Sequence, residues 1–195
     1  MGAIQNAKQY LLWIYETVRL DSLADSARNR KVYRGQVYWC CFGTNIGSEQ
    51  SDKRPCVIIQ NDKGNLSSPN TIVAPITHTN SKLDIVVPIS DKYDASGKLI
   101  LDGHVLLGNI LTVSKSRLET YITDLDKNEM KKVNEAISKS IGIFFFIKQL
   151  EKQIEGQQRH IDNLERDIKD KDDLLITSEN RIKNLEIEVN TLKNS

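Results

Sequence analysis

The sequence predicts a mainly β protein with helices at both ends: a small, strongly curved antiparallel sheet or barrel, followed by a helix that runs into a long C-terminal coiled coil. Three observations carry this. All four prolines, Pro55, Pro69, Pro75 and Pro88, and every run rich in β-branched residues lie in the middle of the chain, where short strands separated by breakers are expected. The N-terminal residues place apolar side chains at helical spacing. The C-terminal residues repeat an apolar position every seven. The 195 residues therefore divide into a helical arm, 1–30, a β-rich domain, 31–143, and a coiled coil, 144–195.

In the arm, Ile4, Ala7, Leu11, Ile14 and Val18 form a stripe that Leu12 and Tyr15 widen, which predicts an amphipathic helix packed on the domain or on a second copy of it. Ser, Asp and Asn accumulate over 21–29 and end it. Strands follow at QVYWCCF (36–42), CVIIQ (56–60), TIVAPIT (71–77), DIVVPI (84–89) and HVLLGNILTV (104–113), with polar loops between. Ser114 to Leu118 reads as a turn or short helix, and 126–143 as a helix capped by Asp126 with Met130, Val133, Ile137 and Ile141 on one face. In the tail, Ile147, Ile154, Ile161, Ile168, Leu175, Ile182 and Val189 form one seam position, and Leu150, Leu164, Leu185 and Leu192 the other. Ile at the first and Leu at the second favours two parallel strands. Gln157, Lys171 and Ser178 interrupt the second position.

Composition narrows the function classes. The net charge is +1, with acidic and basic residues interleaved throughout, so any nucleic-acid site is a local patch. Cys40, Cys41 and Cys56 are an odd number without zinc spacing and read as reduced, buried thiols of a cytoplasmic protein. Lys8, Glu16 and Arg19 interrupt the N-terminal apolar stretch, which argues against a signal peptide, and IGIFFFI (141–147) is far too short to span a bilayer. No membrane association is expected.

Candidate chemistry starts at GSEQSDKRPCVIIQND (47–62). Proline disfavours helical geometry in the residue before it, so Arg54 is held extended at the mouth of a buried strand and offers planar donors suited to phosphate. Thr77 closes another strand beside His78. Taken alone, Arg54 reads as a surface arginine, Thr77 as strand filler and His78 as a solvated histidine. Their order and spacing with other pieces changes that reading.

RGQVYW (34–39), GSEQ (47–50), RPCVIIQND (54–62), SPNTIVAPIT (68–77) and HVLLGNILTVSKSRL (104–118) together resemble the MazF/PemK toxin family, in order from about Lys31 to Ile143. The resemblance implies a homodimeric small barrel, the toxin of a type II toxin–antitoxin system, that cleaves single-stranded RNA at selected sequences and is restrained by a cognate antitoxin. It implies DNA contact only indirectly, through an antitoxin complex. Arg54 and Thr77 match the catalytic pair, and Ser48, Glu49 and Gln50 match the loop over the substrate groove. Asn61 and His78 are assigned to RNA binding. RNA supplies its own nucleophile, the 2′-hydroxyl, so no cofactor and no metal are expected. The implied products carry a cyclic phosphate and a 5′-hydroxyl.

The chain departs from the family pattern at Gly108-Asn109-Ile110-Leu111, where many relatives have an acidic-Gln pair and a basic residue. Cys40 and Cys41 stand where an aspartate is expected. The departure at 108–111 motivates an alternative: a catalytically silent RNA- or protein-binding module assembled by its coiled coil. A gyrase-poison toxin on the same barrel is a further reading, disfavoured by the presence of Arg54 and Thr77. The arm and coiled coil lie outside the family's common core, and the coiled coil is expected to reinforce a homodimer formed through the barrel.

Overall fold

The computed structural model describes residues 3–47, 49–78 and 81–193. The chain forms two compact units, Met1–Phe144 and Phe145–Ser195.

In the first unit, α1 (Ala3–Ser22) and the short α2 (Ala24–Ala27) lead into β1 (Gln36–Cys41), β2 (Lys53–Ile58), α3 (Asp62–Ser67), β3 (Asn70–Thr77), β4 (Val86–Pro88), a small hairpin of β5 (Lys92–Tyr93) and β6 (Leu99–Leu101), β7 (His104–Leu106), β8 (Leu111–Ser114), a 3-10 turn (Lys115–Arg117), β9 (Leu118–Asp124) and α4 (Lys127–Ser140). Seven strands form one antiparallel sheet in the order β4-β7-β3-β2-β1-β9, with β8 also on β3. The path does not close on itself.

Two apolar cores cover the two faces of this sheet. Strand side chains alternate between faces. Val37, Val57, Ala74, Ile76 and Val105 accordingly enter one core with Val133 and Ala136 of α4, while Tyr38, Cys40, Cys56, Ile58 and Val73 enter the other with Val32, Phe42, Val113 and Leu118. Double-sided burial explains the unbroken run Cys56-Val57-Ile58-Ile59, all four of which are buried. All three cysteines are free and buried.

Several elements differ from their sequence-based expectation. β2 begins at Lys53 rather than Cys56, because Lys53, Arg54 and Pro55 pair with Cys41, Cys40 and Trp39 of β1. The long strand expected over 104–113 is two strands, joined by a turn in which the Asn109 N–H donates to the Leu106 carbonyl. α3 replaces an expected loop: Asn61 caps it, and buried Asn65 accepts from Thr71 Oγ1 at 2.7 Å and donates to the Gln60 carbonyl. β9, whose Tyr121-Ile122-Thr123 run is a usable strand signal, was not foreseen; its pairing with β1 is interrupted by register shifts.

The arm forms its helix, but the docked face is not the apolar stripe. Leu20 is buried and Trp13, Glu16 and Arg19 are partly buried, while Leu11, Ile14, Tyr15 and Val18 are exposed. Trp13 decides the orientation: its six-membered ring lies where a Cβ on Gly43 would sit, and the Arg117 guanidinium stacks 5.2 Å from its centroid. Gly43 has φ +94°, so both backbone conformation and space require glycine there.

α4 starts with a capping box: the Asp126 carboxylate accepts from Asn128 and Glu129, and Glu129 accepts from the Asp126 N–H at 2.8 Å. It stops at Gly142, φ +78°, with Ile143 donating to the Ser138 carbonyl. The second unit is the body of α5 (Phe144–Lys193), 50 residues and roughly 75 Å long at the α-helical rise. Ile147, Leu150, Ile154, Ile161, Leu164, Ile168, Leu175, Ile182, Leu185, Val189 and Leu192 form an exposed seam along it. No described helix is long and apolar enough to cross a membrane.

Glu129 is a stability determinant. Burial opposes its ionisation, but Lys92, Ser90 and the Asp126 N–H outweigh that and hold its carboxyl down at about 2, against 4.5 ordinarily. A depressed carboxylate contributes stability above its unfolded pKa and loses it as pH falls toward the folded one. The Glu129 contribution to unfolding free energy should therefore fall by on the order of 3 kcal/mol between pH 5 and pH 2. In Glu129→Gln the total drop over that range should be smaller by about this amount, the remainder belonging to other carboxylates held low, as read by denaturant titrations at fixed pH values.

Candidate active site

The sheet brings Arg54 and Thr77 together through strand register. β2 and β3 pair as Cys56↔Pro75, Val57↔Ala74 and Ile58↔Val73. That pairing ends at Cys56↔Pro75; two residues beyond it Arg54 and Thr77 have the strand parity of this pair, which puts them toward the same face. Arg54, the second residue of β2, and Thr77, the last of β3, both line a cleft of about 310 Å³ with Trp39, Lys53, His78 and Asp102.

Each side chain has an identifiable support. The Arg54 Nε donates to the Ser51 carbonyl at 2.8 Å and Nη1 to Gln50 Oε1 at 2.6 Å, which leaves Nη2 without a hydrogen bond among the described residues. Gln50 is itself held by Asn45, whose Nδ2 donates to the Gln50 carbonyl at 2.6 Å. Thr77 pairs with His104 of β7, and Gly103 lies directly against it. A Cβ at Gly103 would come within 2.5 Å of the Thr77 carbonyl, and φ there is +108°, so only glycine lets the two segments approach this closely.

His78, of opposite strand parity to Thr77, is largely exposed, and its Nε2 lies 2.8 Å from Asp102 Oδ1. Lys53 adds a second cation to the cleft, 5.8 Å from the centre of the Trp39 ring and bridged to Glu119.

The remaining sequence-derived residues separate into distinct groups. Gln50 is joined to the cleft through Arg54. Glu49 lies on the β1–β2 loop, accepting from the Ile46 N–H at 3.3 Å and not lining the cleft. Ser48 lies outside the described residues. Asn61 does not line the cleft: it follows the far end of β2 and serves as the α3 cap, accepting from the Gly64 N–H at 2.8 Å. Gly108 to Leu111 form the β7–β8 connection and the first residue of β8, and none of them lines the cleft. Sequence reasoning missed Lys53, Trp39 and Asp102 as site residues, although Lys53 and Trp39 lie inside stretches already singled out, GSEQSDKRPCVIIQND and RGQVYW.

A cluster of potential metal ligands lies under α1. One ligand atom each from Glu16, Cys41 and Glu119 falls within 4.8 Å of the others. The donor set does not suit a cation. Glu16 is bridged to Arg19 and Glu119 to Lys53, and these cations hold both carboxyls below their usual range. Burial, assisted by Glu119, pushes the Cys41 thiol up to about 12, so it stays protonated and donates to Glu119 Oε1 at 3.2 Å.

Known proteins share this architecture. The family model of the PemK-like, MazF-like toxin of type II toxin-antitoxin systems matches residues 33–141. The chain is 43% identical over 113 residues to Endoribonuclease MazF of Staphylococcus saprophyticus, covering 56% of this chain and 91% of that protein. It is 41% identical over 117 residues to Endoribonuclease EndoA of Bacillus subtilis, covering 59% and 98%. The crystal structure of MazF (Form-I) from Deinococcus radiodurans has the same fold, with a TM-score of 0.51 at 17% identity over 58% of this chain and 98% of that one. The match spans the whole sheet and α4, and with it the cleft that holds Arg54 and Thr77, so this chain belongs to the PemK-like, MazF-like toxin family of type II toxin–antitoxin systems.

Proposed function

We propose that the protein is an endoribonuclease that cleaves single-stranded RNA by its own 2′-hydroxyl, with Arg54 and Thr77 as catalytic residues. The observation that carries this reading is their cross-strand juxtaposition in one cleft, on a chain whose relatives are named endoribonucleases. In the reaction the 2′-oxygen attacks the adjacent phosphorus, the bond to the 5′-oxygen breaks, and the products end in a 2′,3′-cyclic phosphate and a 5′-hydroxyl. Negative charge builds on the phosphoryl oxygens, where preorganised donors act most strongly.

Arg54 supplies a fixed guanidinium with Nη2 available for that charge, and Lys53, bridged to Glu119, adds a cation to the cleft lining. Thr77 orients the phosphate or the attacking hydroxyl. His78, Gln50, Glu49 and Ser48 are proposed RNA contacts, whereas Asn61 acts through α3. No metal is required. The chemistry calls for charge neutralisation, which Arg54 and Lys53 provide, and the one carboxylate among the described cleft residues, Asp102, is engaged by His78.

The reading extends to partners. A separately encoded antitoxin restrains the enzyme, and any DNA contact runs through that complex. The chain forms a homodimer through its sheet domain, reinforced by α5 as a parallel coiled coil. In that pairing Arg181 faces Glu186 and Glu188 faces Lys193 across the seam, partly offset by Asp167 against Asp172. Three free, buried thiols suit a reducing cytoplasm. The departure at Gly108 to Leu111, which motivated a silent binding module, is removed from the cleft and does not favour that alternative.

Two outcomes check this. With EDTA present, wild type should cut a long unstructured RNA at restricted sites, leaving 5′-hydroxyl ends, and Arg54→Ala should lose about 10²–10³ in rate with its fold intact by circular dichroism. RNA left whole by folded wild-type protein contradicts the reading. Removing the residues after Ile143 should weaken the dimer by sedimentation yet retain cleavage, and an inactive monomer would instead make α5 part of the site's assembly.

A further inference from the structure

A second cavity, about 430 Å³, lies beside the cleft and is built partly from the arm. Gln9, Leu12, Trp13 and Glu16 of α1 supply one side, and Cys41, Thr44, Asp52, Lys53 and Glu119 the other. Lys53 lines both cavities. Strand parity explains the adjacency. Cys41 and Lys53 are paired and open onto the arm cavity, and Trp39 and Pro55, two residues along on the same face, open onto the cleft. The offset of two strand residues is about 7 Å, close to one extended nucleotide. The family match begins at residue 33, after α1 has ended, so the matched region cannot supply this wall.

The geometry points to a nucleotide subsite in the arm cavity, which binds the base flanking the scissile phosphate and selects bases that carry an exocyclic amine over uracil; it rests on the ribonuclease reading above. The Trp13 indole is held by Gly43 and Arg117, a braced aromatic surface of the kind on which unstacked bases lie. The Gln9 amide and Thr44 hydroxyl supply polar groups able to meet a base edge. The Glu16 and Glu119 oxygens are taken up by Arg19, Lys53 and the Cys41 thiol, so the Asp52 carboxylate, with no hydrogen bond among the described residues, is the acceptor left to meet a base edge. Acceptors pair with the amines of adenine, cytosine or guanine and have no equivalent partner on uracil beyond its single ring N–H. Lys53, on the wall between the cavities, is placed for the intervening phosphate.

Two measurements separate this subsite from the ribonuclease reading. The first is cleavage of an RNA with randomised nucleotides around the cut. Wild type should disfavour uracil at one flanking position by about tenfold, and Gln9→Ala, at an exposed residue, should relax that bias while Arg54-dependent cutting continues. The second avoids catalysis. The chain has two tryptophans, so Trp39→Phe leaves Trp13 as sole reporter, and its emission is followed on titration with oligodeoxyadenylate, oligodeoxycytidylate and oligothymidylate, which lack the 2′-hydroxyl. The adenine and cytosine strands should quench at concentrations about tenfold lower than the thymine strand. Cleavage without flanking bias, or equal or absent quenching by the three strands, overturns the subsite and leaves the ribonuclease reading standing. Discriminating quenching without cleavage overturns the ribonuclease reading and leaves base binding in place.

Discussion

The antiparallel register between β2 and β3 is the constraint on which the site depends. Arg54 and Thr77 are 23 positions apart in the chain, and only the pairing that opposes Cys56 with Pro75 puts them toward the same face. A slip of one residue would send one of the two to the other face and would move the apolar partners of β2 and β3 out of their cores. Cys56, Val57 and Ile58 are wholly buried, as are Val73 and Ala74, so the register is fixed by burial on both faces at once. The same hydrophobic packing that stabilises the sheet therefore fixes the separation of the two polar side chains at its end.

Polar contacts then restrict those side chains locally. Gln50 and the Ser51 carbonyl take two faces of the Arg54 fork, and Gly103 allows the β6–β7 connection to press on Thr77. A second polar centre ties the arm to this edge. Glu16 and Arg19 from α1 meet Lys53 and Glu119 around the buried Cys41 thiol, and Trp13 closes over Gly43. Lys53 belongs to both centres, lining the cleft and bridging Glu119 beside the arm. Helix α1 thus packs next to the cleft, while its exposed stripe of Leu11, Ile14, Tyr15 and Val18 lies outside that contact.

Much of the fold was legible in the sequence because strong patterns carried it. The heptad repeat predicted α5, Asp126 announced the start of α4, and the buried run after Pro55 marked β2. What was not legible depended on long-range partners. Helix α3 is built from Gly, Asn and Ser, which read as loop, and is held by side-chain bonds from Asn65 to Thr71 and by the buried Lys115 ammonium on the Asn65 carbonyl. The docked face of α1 follows Trp13 because Gly43 leaves space for it, a fact of the β1–β2 connection that no periodicity in the arm contains. Arg54 and Thr77 were found through family motifs rather than spacing, and Lys53 and Asp102 emerged only once the strands were paired.

In the proposed reaction Arg54 and Thr77 act on one phosphate as a unit. A double-mutant cycle on single-turnover RNA cleavage with Arg54→Ala, Thr77→Val and the pair decides whether they do. If the two share a transition state, the double variant should lose little more rate than the worse single variant, with a coupling energy of roughly 1–3 kcal/mol. Losses that multiply independently, with each variant folded and binding RNA equally well, would contradict the account and place the two residues in separate roles.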